Sequence, residues 1–310
     1  MGWKDKTVLI TGIGGFIGHK LGRFFLEKGA QVIGIDNFSY VEKKFSQDLL
    51  NKIKLIEGDV SDKKTFEKVE ENVDVIFHFA APSSIVLFNK FPEKCYLETV
   101  VGCKNVFEFA KERGVEKIVY PSSGSVYGGN PPPHKETIYP KPLNLYGAAK
   151  IACESVASSY EPFVKSVGLR IFAGYGPGEE RKKDFASVVY LFLNDIMKGK
   201  APIIYGDGNQ SRDFIYIDDV VKAIVRAAEI DYTGIINVGT GVSTSFLQLV
   251  EIICEIVGKK IQPIFIEKPM NYVNSLSADT TLMRKLLKIE PITLEEGVKK
   301  FYEYLKGRNS

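Results

Sequence analysis

Three residues able to do acid–base work on an alcohol or a carbonyl fall in the middle of the chain: Ser123, Tyr146 and Lys150. Tyr146 and Lys150 are four apart near a predicted helix start, so they share a face. A lysine cation beside a phenol favours the phenolate and draws the tyrosine pKa from about 10 towards working pH. Such a phenol serves as general base or acid at a hydroxyl or carbonyl. A serine hydroxyl on the same oxygen stabilises charge developing there. Spacing alone does not single the pair out, because Tyr-x-x-x-Lys also occurs at Tyr40/Lys44 and Tyr302/Lys306. Those two read as ordinary surface pairs. The middle pair follows the strand predicted to end in Ser122-Ser123, and that position sets it apart.

A second signal opens the chain. Thr7 to Thr11 is an apolar, β-branched run that suits a buried parallel strand. Gly12, Gly15 and Gly18 punctuate a turn into a helix, where Leu21, Phe24 and Phe25 recur at helical spacing before Gly29. Gln31 to Ile35 is a second strand, closed by Asp36. Gly12 allows the tight turn, Gly15 lets backbone approach a pyrophosphate, and Gly18 lets the helix pack on the strand. The N–H groups of the helix start face the phosphates. Asp36 can accept from both hydroxyls of an adenosine ribose and would repel a 2′-phosphate, so the expected cofactor is NAD, not NADP. The spacing is Gly-x-x-Gly-x-x-Gly, not the commoner Gly-x-Gly-x-x-Gly. Its place between a strand and a helix carries the reading.

Strand and helix patterns alternate from here. Asn37 to Asn51 is polar without a period; Ile53 to Glu57 and Val73 to Phe79 read as strands. A helix begins at Asp62, with Phe66 and Val69 on its buried face. A longer helix runs from about Pro92 to Arg113. Ile118 to Pro121 is the fifth strand, Asn144 to Tyr160 a helix, and Gly168 to Phe172 the sixth strand. Repeated βα units with continuous apolar strands imply a parallel sheet covered on both faces. Right-handed crossovers then make it a doubly wound Rossmann sheet, with ligands beyond the C-terminal strand ends. Those ends are Gly12, Asp36, Asp59, Phe79 to Ala81, Ser122/Ser123 and Phe172/Ala173. After Gly174 the pattern breaks into a helix over about Asp184 to Lys198 and short mixed elements. The expectation is α/β throughout: an NAD-binding Rossmann domain over 1–173 with a return segment near 213–238, and a smaller C-terminal α/β substrate lobe over 174–212 and 239–310. The chain should re-enter the sheet around Gly234 to Val238.

At 310 residues and net charge +3, with no block of Lys or Arg, the chain gives no sign of nucleic acid binding. No apolar run reaches the roughly 18 to 20 residues of a membrane span. The first strand begins without a basic-then-apolar leader, so a cytoplasmic location is expected. Cys95, Cys103, Cys153 and Cys254 lack metal-type spacing and read as reduced thiols in helices; no metal is expected.

The glycine triplet, Asp36, Gly58-Asp59-Val60, His78-Phe79-Ala80-Ala81, Ser122-Ser123, Val126-Tyr127-Gly128 and Tyr146-x-x-x-Lys150 together resemble the extended short-chain dehydrogenase/reductase family. Leu169-Arg170-Ile171-Phe172, Tyr175-Gly176-Pro177, Tyr205-Gly206-Asp207-Gly208 and the run Arg212 to Val220 are similar to its nucleotide-sugar branch, UDP-hexose 4-epimerases in particular. The resemblance implies NAD contacts from Gly12, Phe16, Ile17, Asp36 and Asn37. It adds Asp59, at the adenine amino group, then Val60, Phe79, Ala80 and Ala81, and also Tyr146 and Lys150. Thr99, Ser122 and Phe172 complete that set. Ser123 matches the catalytic Ser/Thr, and Arg212 the grip on the substrate diphosphate. Ser83, Ser123, Tyr146, Ala173, Tyr205 and Leu276 would also face the sugar nucleotide. His78, on an apolar strand end, reads as structural.

Departures from the pattern are informative. Ala173 and Thr99 stand where the family often has Asn, and MNYVNSLS lacks the usual late basic residue, so diphosphate binding is shared differently. Leu276, near the position that decides room for an N-acetyl group, settles nothing by its size. Gly124-Ser125 replaces the Asp-Glu of dehydratases, which leaves 4-epimerisation of a UDP-hexose as the implied reaction. Tyr146 would take the proton from the sugar 4-OH, NAD would hold the C4 hydride, and both would return on the opposite face. A one-way nucleotide-sugar reductase or dehydrogenase, a dehydratase, and a non-catalytic NAD-sensing regulator are the alternatives. The resemblance also implies a homodimer through the helices around Val100 to Arg113 and Tyr146 to Tyr160.

Overall fold

The structure is a computed structural model that describes residues 2–268 and 272–309. Of the stretch MNYVNSLS, its first two residues lie outside the described part. The chain forms two compact units. One holds the residues up to Ser123, Leu145–Arg170 and Ala223–Ile236; the other holds Gly124–Asn144, Ile171–Lys222 and the residues from Asn237 on.

The first unit is built on a seven-stranded sheet. Its strands are β1 (Thr7–Thr11), β2 (Gln31–Asp36), β3 (Lys54–Glu57), β4 (Val75–His78), β5 (Lys117–Ser123), β6 (Lys165–Ile171) and a last one, Gly234–Val238. The order is Gly234–Val238, β6, β5, β4, β1, β2, β3. β1 pairs in parallel with both β2 and β4, Leu9 facing Ile33 on one side and Ile76 on the other. Such a central strand has no wet face, and Val8, Leu9, Ile10 and Thr11 are all fully buried. Sequence order reverses between β1 and β4, which is where a doubly wound sheet opens a crevice.

Helices cover the sheet. The helix α1 (Phe16–Glu27) follows β1 directly. Pro92–Arg113 starts with proline in its first turn and stops at Gly114, whose φ of 64° few other residues adopt. It packs along Leu145–Ser159, over a core that includes Phe107, Ile118 and Tyr120. The expected helix at Asp62 is a single turn, Lys64–Glu67, with Phe66 and Val69 buried. Sequence reading missed the short helix Ile85–Lys90, capped by the Ser84 hydroxyl on the Val86 N–H.

In the second unit short strands pair over long sequence distances. Ala173–Tyr175 lies parallel to Phe214–Tyr216, and Ile203–Tyr205 parallel to Ile264–Ile266. Thr244–Ser245 runs antiparallel to Ser211–Arg212. The helices Val188–Met197, Phe246–Val257, Thr281–Leu287 and Leu294–Asn309 accompany them.

The two units divide the chain differently from the expected lobes. Gly124–Asn144 belongs to the second unit, not to a continuous 1–173 domain, because its polar groups are satisfied there. His134 donates its N–H to the Ser277 carbonyl, and its own carbonyl accepts from Asp279 and from the Asn237 side chain. The return segment begins at Ala223, since Phe214–Tyr216 pairs within the second unit. The helix expected from Asp184 starts at Val188. Ser187 is its cap, accepting from the Tyr190 N–H while Glu179 takes the Ser187 N–H and hydroxyl. No helix among the described residues is long and apolar enough to cross a membrane.

Candidate active site

The crevice beside β1 is shaped by what its glycines leave out. Gly12 has φ +73°, and a side-chain carbon on it would stand 2.7 Å from the Phe79 carbonyl and the Ala80 nitrogen. On Gly18 such a carbon would stand 2.0 Å from the Gly12 oxygen, so α1 seats against the turn only because that atom is missing. No side chain caps α1 at Gly15 and no acid stands in its first turn. The positive end of its dipole is therefore uncancelled there.

Around this turn lies an open cleft at the C-terminal ends of β1 and β2, where a doubly wound sheet binds its ligands. Gly12, Gly15, Asp36, Asn37, Asp59 and Val60 line it, and so do Phe79, Ala80 and Ala81. Asp36 is buried and accepts from the Gly14 and Phe38 N–H groups. A carboxylate offers about four acceptor sites, so capacity remains for a diol. Burial raises the Asp36 pKa, against the pull of the Phe38, Gly14 and Asn37 amides. At Asp59 burial also pushes upward, but the Ser61 N–H and hydroxyl and the Asn37 amide outweigh it and hold the carboxyl below its usual range. A glycine cradle, a bare helix start and a diol acceptor at the next strand end fit an adenine dinucleotide.

Three expected cofactor residues turn elsewhere. Thr99 is buried and gives its hydroxyl to the Cys95 carbonyl of its own helix, so Glu98 and not Thr99 faces the cleft. Ser122 gives its hydroxyl to Glu154. Phe172 stacks with Tyr127 in the second unit. Phe16, Ile17 and Gly18 sit in the first turn of α1, half-buried or buried.

Ser123, Tyr146 and Lys150 all belong to the first unit. Lys150 is buried, and its Nζ donates to the Pro121 carbonyl at 3.1 Å, which ties Leu145–Ser159 to β5. The same Nζ lies 5.7 Å from the Tyr146 ring centroid. The tyrosine ring meets Phe88 edge-on at 5.5 Å and leans on a cluster of Leu87, Phe88, Cys95 and Ala149. One turn beyond Lys150, Glu154 accepts two bonds from the buried Arg170, at 2.9 Å from Nε and 2.7 Å from Nη2, besides the one from Ser122. Ser123 ends β5, and neighbouring positions of a strand point to opposite faces, so it does not share the direction of Ser122.

His78, buried at the end of β4, is structural. The Thr11 hydroxyl accepts the Ala80 N–H and so has its proton to give to Nδ1, 2.8 Å away. Burial, and after it the Lys150 charge, pushes the imidazole down to about 3, so it stays neutral. No group of three or more metal-ligating side chains occurs among the described residues, and the four thiols are free.

In the second unit Arg212 lies between the rings of Phe246 and Tyr272, 5.6 and 5.4 Å from their centroids. Three of its five N–H groups go to the carbonyls of Ser211, Val273 and Asn274. Tyr205 is exposed, and its ring centroid is 6.1 Å from that of Tyr272. Leu276 is buried and donates its N–H to the Ser211 carbonyl, while Ala173 donates to Asp213. Ser83, in the first unit, is exposed just before Ile85–Lys90. Asp213 was not anticipated. Its buried carboxylate accepts from the N–H groups of Thr240, Gly241 and Ala278 and from the Thr240 hydroxyl, fastening three stretches together. Glu154 was also missed, although its place four residues after Lys150 puts it on the same helix face.

The NAD dependent epimerase/dehydratase family matches residues 8–239. The UDP-glucose 4-epimerase of Mycolicibacterium smegmatis is 33% identical over 97% of this chain and 99% of its own length. The crystal structure of the UDP-glucose 4-epimerase of Thermotoga maritima with UDP-glucose superposes with a TM-score of 0.93 at 30% identity, covering 98% of this chain and 100% of that one. The UDP-glucuronic acid 4-epimerase of Bacillus cereus, in complex with UDP-glucuronic acid and NAD, gives 0.88 at 27% identity, over 97% of this chain and 99% of that one. With the glycine cradle, the Tyr146/Lys150 pair and a match over most of its length, this chain belongs to the NAD-dependent epimerase/dehydratase family.

Proposed function

We propose that this protein interconverts the C4 epimers of a UDP-hexose, with Tyr146 as the acid–base group and NAD as resident cofactor. The observation that carries this reading is Lys150, pinned by the Pro121 carbonyl with its cation beside the Tyr146 ring. NAD bound in the first unit supplies a reversible acceptor for the hydride of the sugar carbon. Gly12, Gly15, Asp36, Asp59 and the strand-end residues Phe79 to Ala81 hold it. Tyr146 takes the proton of the 4-hydroxyl and later returns it, and the fixed ammonium of Lys150 stabilises its phenolate. Ser123 donates to the same sugar oxygen while charge develops there. His78 is neutral and adds no competing charge.

The second unit holds Arg212 and Tyr205, which the family resemblance assigns to the sugar nucleotide. Arg212 has N–H groups beyond those on the loop carbonyls to offer a diphosphate. Exposed Tyr205 offers a ring to the base. Gly124-Ser125 places no carboxylate after Ser123, which supports epimerisation over dehydration. The working form is a homodimer joined through Pro92–Arg113 and Leu145–Ser159, whose outer faces expose Leu97, Val101 and Leu145.

The test is product analysis. The purified protein is incubated with UDP-glucose, UDP-galactose, their N-acetyl and uronic forms and a GDP-sugar, and the sugars are separated. Interconversion of a UDP-hexose pair without net absorbance at the reduced-nicotinamide band is expected. Tyr146→Phe should lower turnover by roughly a hundredfold or more, the scale of a lost general base. Stoichiometric cofactor consumption, or full turnover in Tyr146→Phe, would sink the proposal.

A further inference from the structure

The cofactor cleft carries a contact that the reaction itself does not use. After β2 the chain runs through Asn37 to Glu42 without helix or strand. Phe38 takes the left-handed conformation, φ 53°, and folds the loop back over the glycine turn. Its ring edge would be 2.9 Å from a side-chain carbon on Gly14, so this glycine makes room for the loop. Asn37 fastens the near end by donating to Asp59 at 2.8 Å. At the far end the Tyr40 hydroxyl donates to Glu98 Oε2 at 2.6 Å, a bond between residues 58 positions apart. Tyr40, Val41 and Glu98 line the same cleft as Gly12, Gly15 and Asp36. The Tyr40 ring also leans on the apolar cluster that seats Tyr146.

Glu98 is an odd residue for a cleft that takes a dianionic diphosphate. A carboxylate there repels phosphate unless its charge is occupied. Lys94 Nζ lies 3.7 Å from its other oxygen, and the Tyr40 hydroxyl caps the first. Burial and the Glu98 charge push the Tyr40 phenol far up, so it remains a donor across the working range. Glu98 therefore serves Tyr40.

We propose that the Tyr40–Glu98 bond is a strap that closes loop 37–42 over bound NAD and sets how slowly the cofactor leaves. The inference rests on the cofactor reading above. An epimerase regenerates its NAD at every turn, so slow release costs it nothing, whereas an enzyme that exchanges cofactor each cycle would be throttled.

The experiment measures retention rather than turnover. Wild type, Tyr40→Phe, Glu98→Ala and the double variant are loaded with labelled NAD. They are then passed through a desalting column and chased with excess unlabelled NAD, with thermal unfolding of each recorded alongside. Release should quicken roughly tenfold or more in each single variant, the scale of a lost hydrogen bond to a charged group. The double variant should be no faster than the singles, because both changes remove one bond. Release at the wild-type rate in both singles, or independent effects that multiply in the double, would overturn the strap while leaving the cofactor site intact. A wild type that takes up no NAD would overturn the strap together with the cofactor reading, and a variant that unfolds without releasing NAD faster beforehand would assign the bond to stability instead.

Discussion

At the residue scale the site depends on which groups are prevented from ionising as much as on those that ionise. His78 stands near Lys150, and a second cation there would compete for the stabilisation that Tyr146 needs. Its neutrality has a cost in acid. The unfolded chain protonates this imidazole near 6.5, whereas the folded chain holds it down to about 3. The unfolded state therefore binds more protons between those values. The stability this group contributes is intact above pH 6.5 and is lost as the pH falls towards 3. His78→Asn keeps an acceptor for Thr11 and removes the titration. Stability measured by urea unfolding from pH 7 to 4 should fall less steeply in that variant, by up to about 1.4 kcal/mol per pH unit. Parallel slopes would show that His78 protonates freely in the native state. The imidazole's structural role was legible from its place on an apolar strand end; its tautomer needed the Thr11 hydroxyl and the Ala80 N–H, which no spacing reveals.

At the element scale the question is what aims Leu145–Ser159 at the end of β5. Lys150 grips Pro121, and one turn later Glu154 receives Arg170 and Ser122. The side chains of Glu154 and Arg170 are 11% and 4% exposed, so the pair is shielded enough for loss of one partner to leave an uncompensated charge. Glu154→Gln should cost about 3 kcal/mol of stability. It should also lower kcat more than it raises KM, because the helix that carries Tyr146 loses its anchor. A Glu154→Leu/Arg170→Met double variant should recover most of the stability but not the kcat. Equal urea midpoints for wild type and Glu154→Gln would show that the helix is held by apolar packing alone. The helices themselves were largely written in the chain. Pro92 and Gly114 mark both ends of one of them. Ile85–Lys90 was not, because six residues carry too little period and its start depends on the Ser84 cap.

At the scale of the whole molecule, legibility tracks the range of the contacts. β1, α1 and β2 follow from local pattern, and the glycine turn with Asp36 names the cofactor. The second unit does not follow, since its strands of two and three residues persist through distant partners such as Asp213 with Thr240, Gly241 and Ala278. The grouping of Gly124–Asn144 with the second unit was illegible for the same reason: His134, Asn237 and Ser277 meet only in space. The proposed dimer belongs to this scale too. Leu97 and Val101 are one turn apart on the outer face of Pro92–Arg113, 58% and 37% exposed, and Leu145 begins the neighbouring helix at 49%. An apolar stripe on paired long helices suits a two-fold contact in which the same patch meets itself. Light scattering should give twice the chain mass, and Leu97→Asp should shift the protein to monomer by placing two like charges across the axis. Because these helices also carry Tyr146, Lys150 and Glu98, the monomer should unfold at lower temperature and turn over more slowly per chain than the wild type at the same concentration. A wild type that runs as a monomer at micromolar concentration would refute the pairing without touching the chemistry.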